Sequence, residues 1–356
     1  MFRKIGLPFI ILAVILPLVL GGCVQIKSKK DTSAIDGGIF KTTNKGRSWH
    51  NKSAVLTTGR PTRFSGIDVV SLVMDPSDHK AIYYGSIGHG LFYTYDGAES
   101  WQKAYPLRNA TIRAIAVDPK DKCTIYVGIG NRVYKTDDCN RSWRQVYIDN
   151  EVSATINAIA VDYNNNAVVY IGISRGDLVK SADAAASWQV VKRFKDLITK
   201  IVIDPNDNQR FYVITKKKGV FYTLDAGANW EDFNQILKET KFGFNVKDLI
   251  LVKEKPEVIF LATDKGILKS SDRGVNWQEI KLIPPEKKTS LNALAVNPQN
   301  IQEIYYTTNT TFNYSADGGM NWTPFKLPTT RAGWRLLIDP KEPNILYMGT
   351  RTYRKK

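Results

Sequence analysis

Thr223-Leu-Asp225-Ala-Gly227-Ala-Asn229-Trp230 returns as Ser270-Ser-Asp272-Arg-Gly274-Val-Asn276-Trp277 and again as Ser315-Ala-Asp317-Gly-Gly319-Met-Asn321-Trp322. Weaker copies end at Trp49, Trp101, Trp143 and Trp188, so seven of the eight tryptophans close the same eight-residue phrase. The copies stand roughly 40–50 residues apart, a period that fits a four-stranded repeat unit. Each phrase reads as a tight hairpin. Its Asp carboxylate can accept turn amide protons, its Gly supplies a positive φ, and its Trp heads the next strand and packs on its neighbours. Asn44 stands in for the first Asp, Asn140 holds one Gly position, and Ala98 and Ala185 hold two more, where the left-handed conformation costs strain.

Ahead of six phrases lie two further apolar runs, as in Thr111-Ile-Arg-Ala-Ile-Ala-Val-Asp118-Pro119 followed by Ile125-Tyr-Val-Gly128, and then Val133-Tyr-Lys-Thr136. With the strand after the Trp, each period supplies four antiparallel strands, here A to D. The first phrase, from Ile39 to about Leu56, has C and D alone, whereas the tail from Trp334 to Gly349 has A and B alone. The reading is therefore all-β: a seven-bladed β-propeller of four-stranded antiparallel blades. Its closing blade is shared by the N-terminal strands C–D and the C-terminal strands A–B, and residues 39–350 make a single domain. The strand A runs are apolar on both faces, as suits a sheet packed between two others.

Residues 1–23 read as a processing signal: Arg3 and Lys4, an apolar run broken by Pro8 and Pro17, then Leu20-Gly21-Gly22-Cys23. This resembles the bacterial lipobox, which implies a signal peptide whose Cys23 carries the lipid; an ordinary secretory leader is the alternative. Residues 24–38 follow as a flexible tether, and 351–356 as a basic tail. The expected location is the bacterial cell envelope, lipid-anchored and extracytoplasmic. There a disulfide between Cys123 and Cys139 is permitted, because the B–C hairpin brings their neighbourhoods together; two free turn cysteines are the alternative. No metal site is read, since the three His residues are scattered, and no cofactor motif is found.

The chain carries a formal charge of +16. Antiparallel order places D–A and B–C loops on one face, and A–B and phrase turns on the other. Summed by loop, the first face carries roughly +10 and the second roughly −9. The expected binding residues are Arg60, Arg63, Arg108, Arg132, Arg175, Arg193, Lys216, Lys217, Lys218, Arg331 and Trp334, joined by Lys195, Lys287, Lys288 and by Phe64, Phe194, Phe242 and Phe244 as interleaved aromatics. The expected partner is a membrane-associated acidic protein or an anionic lipid or glycan, with the bilayer reached through the N-terminal lipid. Export argues against nucleic acid, and the chain is expected to act as a monomer.

The phrase and its spacing resemble the Asp-box, or BNR, repeat over nearly all of Ile39 to Gly349. Propellers with this repeat include sialidases, xyloglucanases, sortilin-type receptors and the photosystem II stability and assembly factor, so the resemblance implies fold more than activity. The seven-bladed lipoprotein plan is similar to the assembly factor, whose family implies a basic patch for protein docking. The strand B wording, Ile125-Tyr126 and Ile345-Leu-Tyr347, is closer to the xyloglucanase and sortilin versions.

A glycosidase needs two carboxylates flanking one bond. Alignment of strand A starts gives a tunnel-mouth ring of Val70, Arg113, Asn157, Thr199, Asp248, Asn292 and Trp334, with one carboxylate; the loop acids Asp68, Asp149, Glu151, Asp177 and Glu239 are the sources of a second. The residues favour a noncatalytic binding or assembly module acting through its basic face. The alternative is a glycan-binding or glycan-hydrolysing propeller, with Asp248 as the candidate catalytic group.

Overall fold

The computed structural model describes Met1 and residues 36–57, 62–283 and 291–353. Seven four-stranded antiparallel sheets form a seven-bladed propeller. Blades 1 to 6 run in sequence from Val69–Met74, the first strand A, to Thr323–Lys326, the last strand D. Each strand A packs on the strand A of the next blade, and Ala332–Ile338 returns to Val69–Met74, which closes the ring. Blade 7 pairs Ala332–Ile338 with Leu346–Arg351, then Ile39–Thr42, then His50–Asn51, so both ends of the domain share one sheet.

The phrases form their turns by one hydrogen-bond scheme. Ser315 Oγ donates to Asp317 Oδ1 at 2.8 Å and accepts the Gly319 amide at 2.8 Å; Asp317 in turn accepts the amide and the side-chain NH₂ of Asn321. The same scheme holds at Asp225 and Asp272. These bonds favour the ionised carboxylate: Asp138 and Asp183, each held first by the hydroxyl of the serine four residues on, are lowered to about 2. Asn140, Ala98 and Ala185 take φ of 72°, 67° and 75°, as their places in the phrase require. The residue before each is left-handed as well, for example Cys139 at 58° and Ala184 at 57°. One left-handed residue was expected from the phrase; two are needed because the hydroxyl and the carboxylate both draw amides back into the loop.

Blades pack face to face through aliphatic and aromatic side chains. Trp101 is fully buried, and its indole nitrogen donates to Lys52 O, beside strand D of the preceding blade. Gly172 in strand B leaves room for the next blade, since a Cβ there would lie 2.4 Å from Ile198 Cγ2. Cys123 and Cys139 are joined as a disulfide within blade 2, their Cα atoms 4.0 Å apart.

Three boundaries differ from the sequence reading. Strand D of blade 7 stops at Asn51 rather than near Leu56, because Ser53 turns inward, accepting the Ile39 amide at 3.1 Å, and Ala54–Val55 then pairs with Thr62–Arg63. Residues 36–38, read as tether, are fixed: Asp36 accepts the Thr330 amide at 3.1 Å, and Gly38 O accepts that of Thr350 at 3.0 Å. Arg351 and Thr352, read as tail, belong to the blade, since Arg351 ends strand B and the Thr352 amide donates to Asp68. The leader, Cys23 and residues 24–35 lie outside the described residues.

Candidate functional site

The strand A residues form levels around the axis. β-Bulges near the start of strand A in blades 1, 3, 4, 5 and 7 set the register: Ser71, Ala158, Lys200, Asp248 and Arg335 pair with Gly85, Gly172, Ile214, Ala262 and Gly349 and so share one level. The bulged residue just outside that level in blade 5 is Lys247. The expected mouth ring therefore changes at one position, with Lys247 outermost and Asp248 one step in. A bulge adds a residue without changing the apolar pattern, so counting from the strand start misplaced it.

Cations dominate this end of the channel. Lys200 Nζ donates to Asp248, which also accepts the Leu249 amide at 2.8 Å. Arg335 donates to Trp334 O at 3.2 Å and forms no ion pair among the described residues. Burial pushes its guanidinium below the ordinary value, a shift that Asp248 opposes and Arg351 reinforces. Lys247 is likewise lowered by burial, with Asp264 working against the shift and Arg335 with it. Arg351 lies over the Trp334 ring at 4.8 Å, a cation–π contact. Lys247 and Arg335 were outside the expected site residues. Their signal was present in the sequence, as charged residues within otherwise apolar strand A runs.

The outer loops sort the remaining residues. Arg63, Arg108, Arg132, Lys195, Lys216 and Lys217 are exposed. Lys218 is tied back to Phe194 O at 3.0 Å. Arg175 is enclosed by acids: Nη1 pairs with buried Asp149, and Nε donates to buried Asp177 at 2.8 Å. Arg193 lies 3.6 Å from Asp177, and Arg331 pairs with Asp68 at 2.7 Å. Arg60, Lys287 and Lys288 lie outside the described residues. The interleaved aromatics are not docking groups: Phe64, Phe194 and Phe242 are at most 8% exposed, and Phe244 is half-buried. Each loop folds its ring down to cap an interblade core, as Phe64 does on Phe92 at 4.6 Å and Phe194 on Trp230 at 5.0 Å.

The loop acids are engaged away from Asp248. Asp149 and Asp177 hold Arg175, Asp68 holds Arg331, Glu151 accepts from Ser153, and Glu239 accepts from Gln235. On the opposite face the A–B turns clasp one another around the channel. Asn166 donates to Asp118 at 2.8 Å, and His79 Nδ1 lies 2.7 Å from Asp339 in the equivalent place, with Glu342 beside them. Thus one of the three His residues joins two carboxylates, a grouping that the sequence spacing had hidden. Among the described residues no helix is long and apolar enough to cross a membrane.

A family profile described as "Sortilin, neurotensin receptor 3" matches residues 176–268. An oligoxyloglucan-reducing end-specific xyloglucanase of Emericella nidulans is 32% identical over 82 residues, 21% of this chain and 10% of that protein. The chain thus spans about a tenth of this curated relative. Among solved structures, the GH74 xyloglucanase of Xanthomonas campestris is similar at a TM-score of 0.65 and 18% identity, over 80% of this chain and 51% of that one. YCF48 bound to D1 peptide is similar at 0.59 and 15% identity, over 80% of this chain and 94% of the other. These likenesses support the seven-bladed Asp-box architecture.

Proposed function

We propose that this Asp-box propeller is a noncatalytic binding module that recognises an anionic, membrane-associated partner through the face bearing its D–A and B–C loops. The observation that carries the reading is the channel mouth, where, among the described residues, Lys200, Lys247, Arg335 and Arg351 meet the acids Asp248 and Asp264, and Asp248 is already paired with Lys200. Around this centre, Arg63, Arg108, Arg132, Lys216 and Lys217 present cations to solvent. Such an arrangement steers an acidic partner inward from a distance and then holds it where water is scarce. The chain enters blade 7 at Asp36, bonded to Thr329 and Thr330 in the loop leading into strand A, which is on the same face. Lipid attachment at Cys23 would hold that face toward the bilayer.

Glycan binding or hydrolysis is the second reading, supported by the xyloglucanase likeness and by Asp248. It lacks a second carboxylate free beside Asp248 among the described residues, and Asp248 is itself paired with Lys200.

Reversal of Arg132, Lys216 and Lys217 to Glu tests the proposal. Among the described residues none of the three side chains is bonded to an acid, so the melting temperature should be unchanged, as for most surface substitutions. Recovery of the partner from crosslinked membranes should fall at least about tenfold, the scale of a few lost charge contacts. Undiminished recovery would refute the assignment of this face.

A further inference from the structure

The face opposite the loop cations carries a grouping that the docking surface does not use. In the A–B turn of blade 3, Asn166 reaches back to Asp118 at the end of strand A in blade 2. The corresponding residue is Lys122 in blade 2, Asn208 in blade 4 and His79 in blade 1, where the blade reached is blade 7 and the seam of the ring is crossed. His79 Nδ1 lies 2.7 Å from Asp339 Oδ2, and the two side chains are only 14% and 2% exposed. The other oxygen of Asp339 accepts the Lys341 and Glu342 amides at 2.9 and 3.0 Å, which fixes the carboxylate in place. Glu342 supplies a third donor. Three residues after the Asp that ends strand A, blades 1 and 2 carry a shorter acid that folds back on its own turn: Asp78 accepts the Lys80 amide at 3.1 Å, and Asp121 accepts the Cys123 amide at 3.0 Å and the Thr124 hydroxyl at 2.7 Å. Glu342 has one more methylene, and among the described residues its carboxylate accepts no hydrogen bond and pairs with no cation. It stands with His79 and Asp339 so that one ligand atom of each lies within 4.8 Å of the others, and no other place among the described residues joins three such side chains.

We infer that His79, Asp339 and Glu342 bind a divalent transition-metal ion, of which zinc fits best, and that the ion clips blade 7 to blade 1. One imidazole nitrogen and two carboxylate oxygens suit zinc, with water in the fourth position at the exposed Glu342 edge; calcium and magnesium prefer oxygen alone. Zinc bonds of about 2 Å set neighbouring ligand atoms of a tetrahedron roughly 3.3 Å apart. His79 and Asp339 stand closer than that, so the ion takes the place of the proton that they share. The exposed Glu342 side chain then has the freedom to complete the set. Because the imidazole comes from blade 1 and both carboxylates from blade 7, the ion adds a cross-link where the ring closes. The site uses none of the loop cations and lies on the other face, so it can fail while partner docking stands, and the reverse.

The test is calorimetric titration of the untagged full chain with zinc chloride, with calcium and magnesium chloride as comparators, followed by thermal melts in zinc and in excess chelator. The wild type should bind zinc saturably, one per chain, and melt higher in zinc than in chelator, by mass action. Calcium and magnesium should bind at least about tenfold more weakly, since neither favours the imidazole. His79→Asn keeps the clasp, as Asn166 does with Asp118, so it should melt like the wild type in chelator. Its zinc affinity should fall at least about tenfold, the low end of what even outer partners of a metal contribute. Glu342→Gln should weaken zinc by a similar factor without touching the clasp, and it serves alone if His79→Asn does not fold. Absence of a zinc-dependent rise in the melting temperature of the wild type, equal binding of calcium, or zinc affinity undiminished in either variant would overturn the inference.

Discussion

Replacing Arg175 by Ala should lower the stability of the propeller by about 3 kcal/mol, the low end of the range for removing one partner of a buried ion pair. Its guanidinium is about one third exposed, but the two carboxylates that it serves are not, at 2% and 7% for the Asp149 and Asp177 side chains. Arg193, 3.6 Å from Asp177 and largely exposed, cannot compensate both. Asp149 retains the Glu151 amide and the Tyr147 hydroxyl, which soften the loss. Urea melts of the wild type and the variant measure it. A change in midpoint equivalent to less than 1 kcal/mol would mean that the network contributes little. The same geometry separates Arg175 from Arg132, Lys216 and Lys217: a loss of partner binding on changing Arg175 would report damage to the scaffold.

A chain stopped after Thr330 should fail to show a cooperative thermal transition. It would lose Ala332–Ile338 and Leu346–Arg351, leaving Ile39–Thr42 and His50–Asn51 as an isolated hairpin. Ala332, Leu336, Leu346, Tyr347 and Met348 are all buried, and losing side chains of this kind removes on the order of 10 kcal/mol of burial. That is comparable to the whole net stability of a domain. The cut also exposes Val69, which packs against Gly349 across the seam. Circular dichroism against temperature, with limited proteolysis, reads the outcome. A sharp transition near that of the full chain would show that six blades stand without the seam.

The ring was legible in the sequence because its phrase is local. The hydrogen bonds of the Ser315 hydroxyl and the Asp317 carboxylate fall within seven residues of sequence, so type and spacing were enough to place the turn, and the incomplete first and last repeats then required a shared blade. The candidate site was less legible for two physical reasons. Register in strand A depends on bulges, which leave the apolar pattern intact, so Asp248 was put where Lys247 stands. Side-chain direction in loops depends on tertiary partners far away in sequence. Phe64 and Phe194 look like contact residues in a basic loop, yet they turn down to cap cores, and Arg175 looks like a free cation until Asp149 is brought to it from an earlier loop. Arg132 is exposed, as a residue in a surface loop is expected to be, and its side chain meets no acid among the described residues.

The most direct measurement is site-specific photocrosslinking in the native membrane, with the crosslinker placed at Lys217 on the cationic face or at Ala226 in the turn of the Asp225 box on the opposite face. The account predicts a discrete partner captured from position 217, with a yield that falls steeply as salt rises, and none from 226. Capture from 226, or capture from 217 that is indifferent to salt, would contradict it.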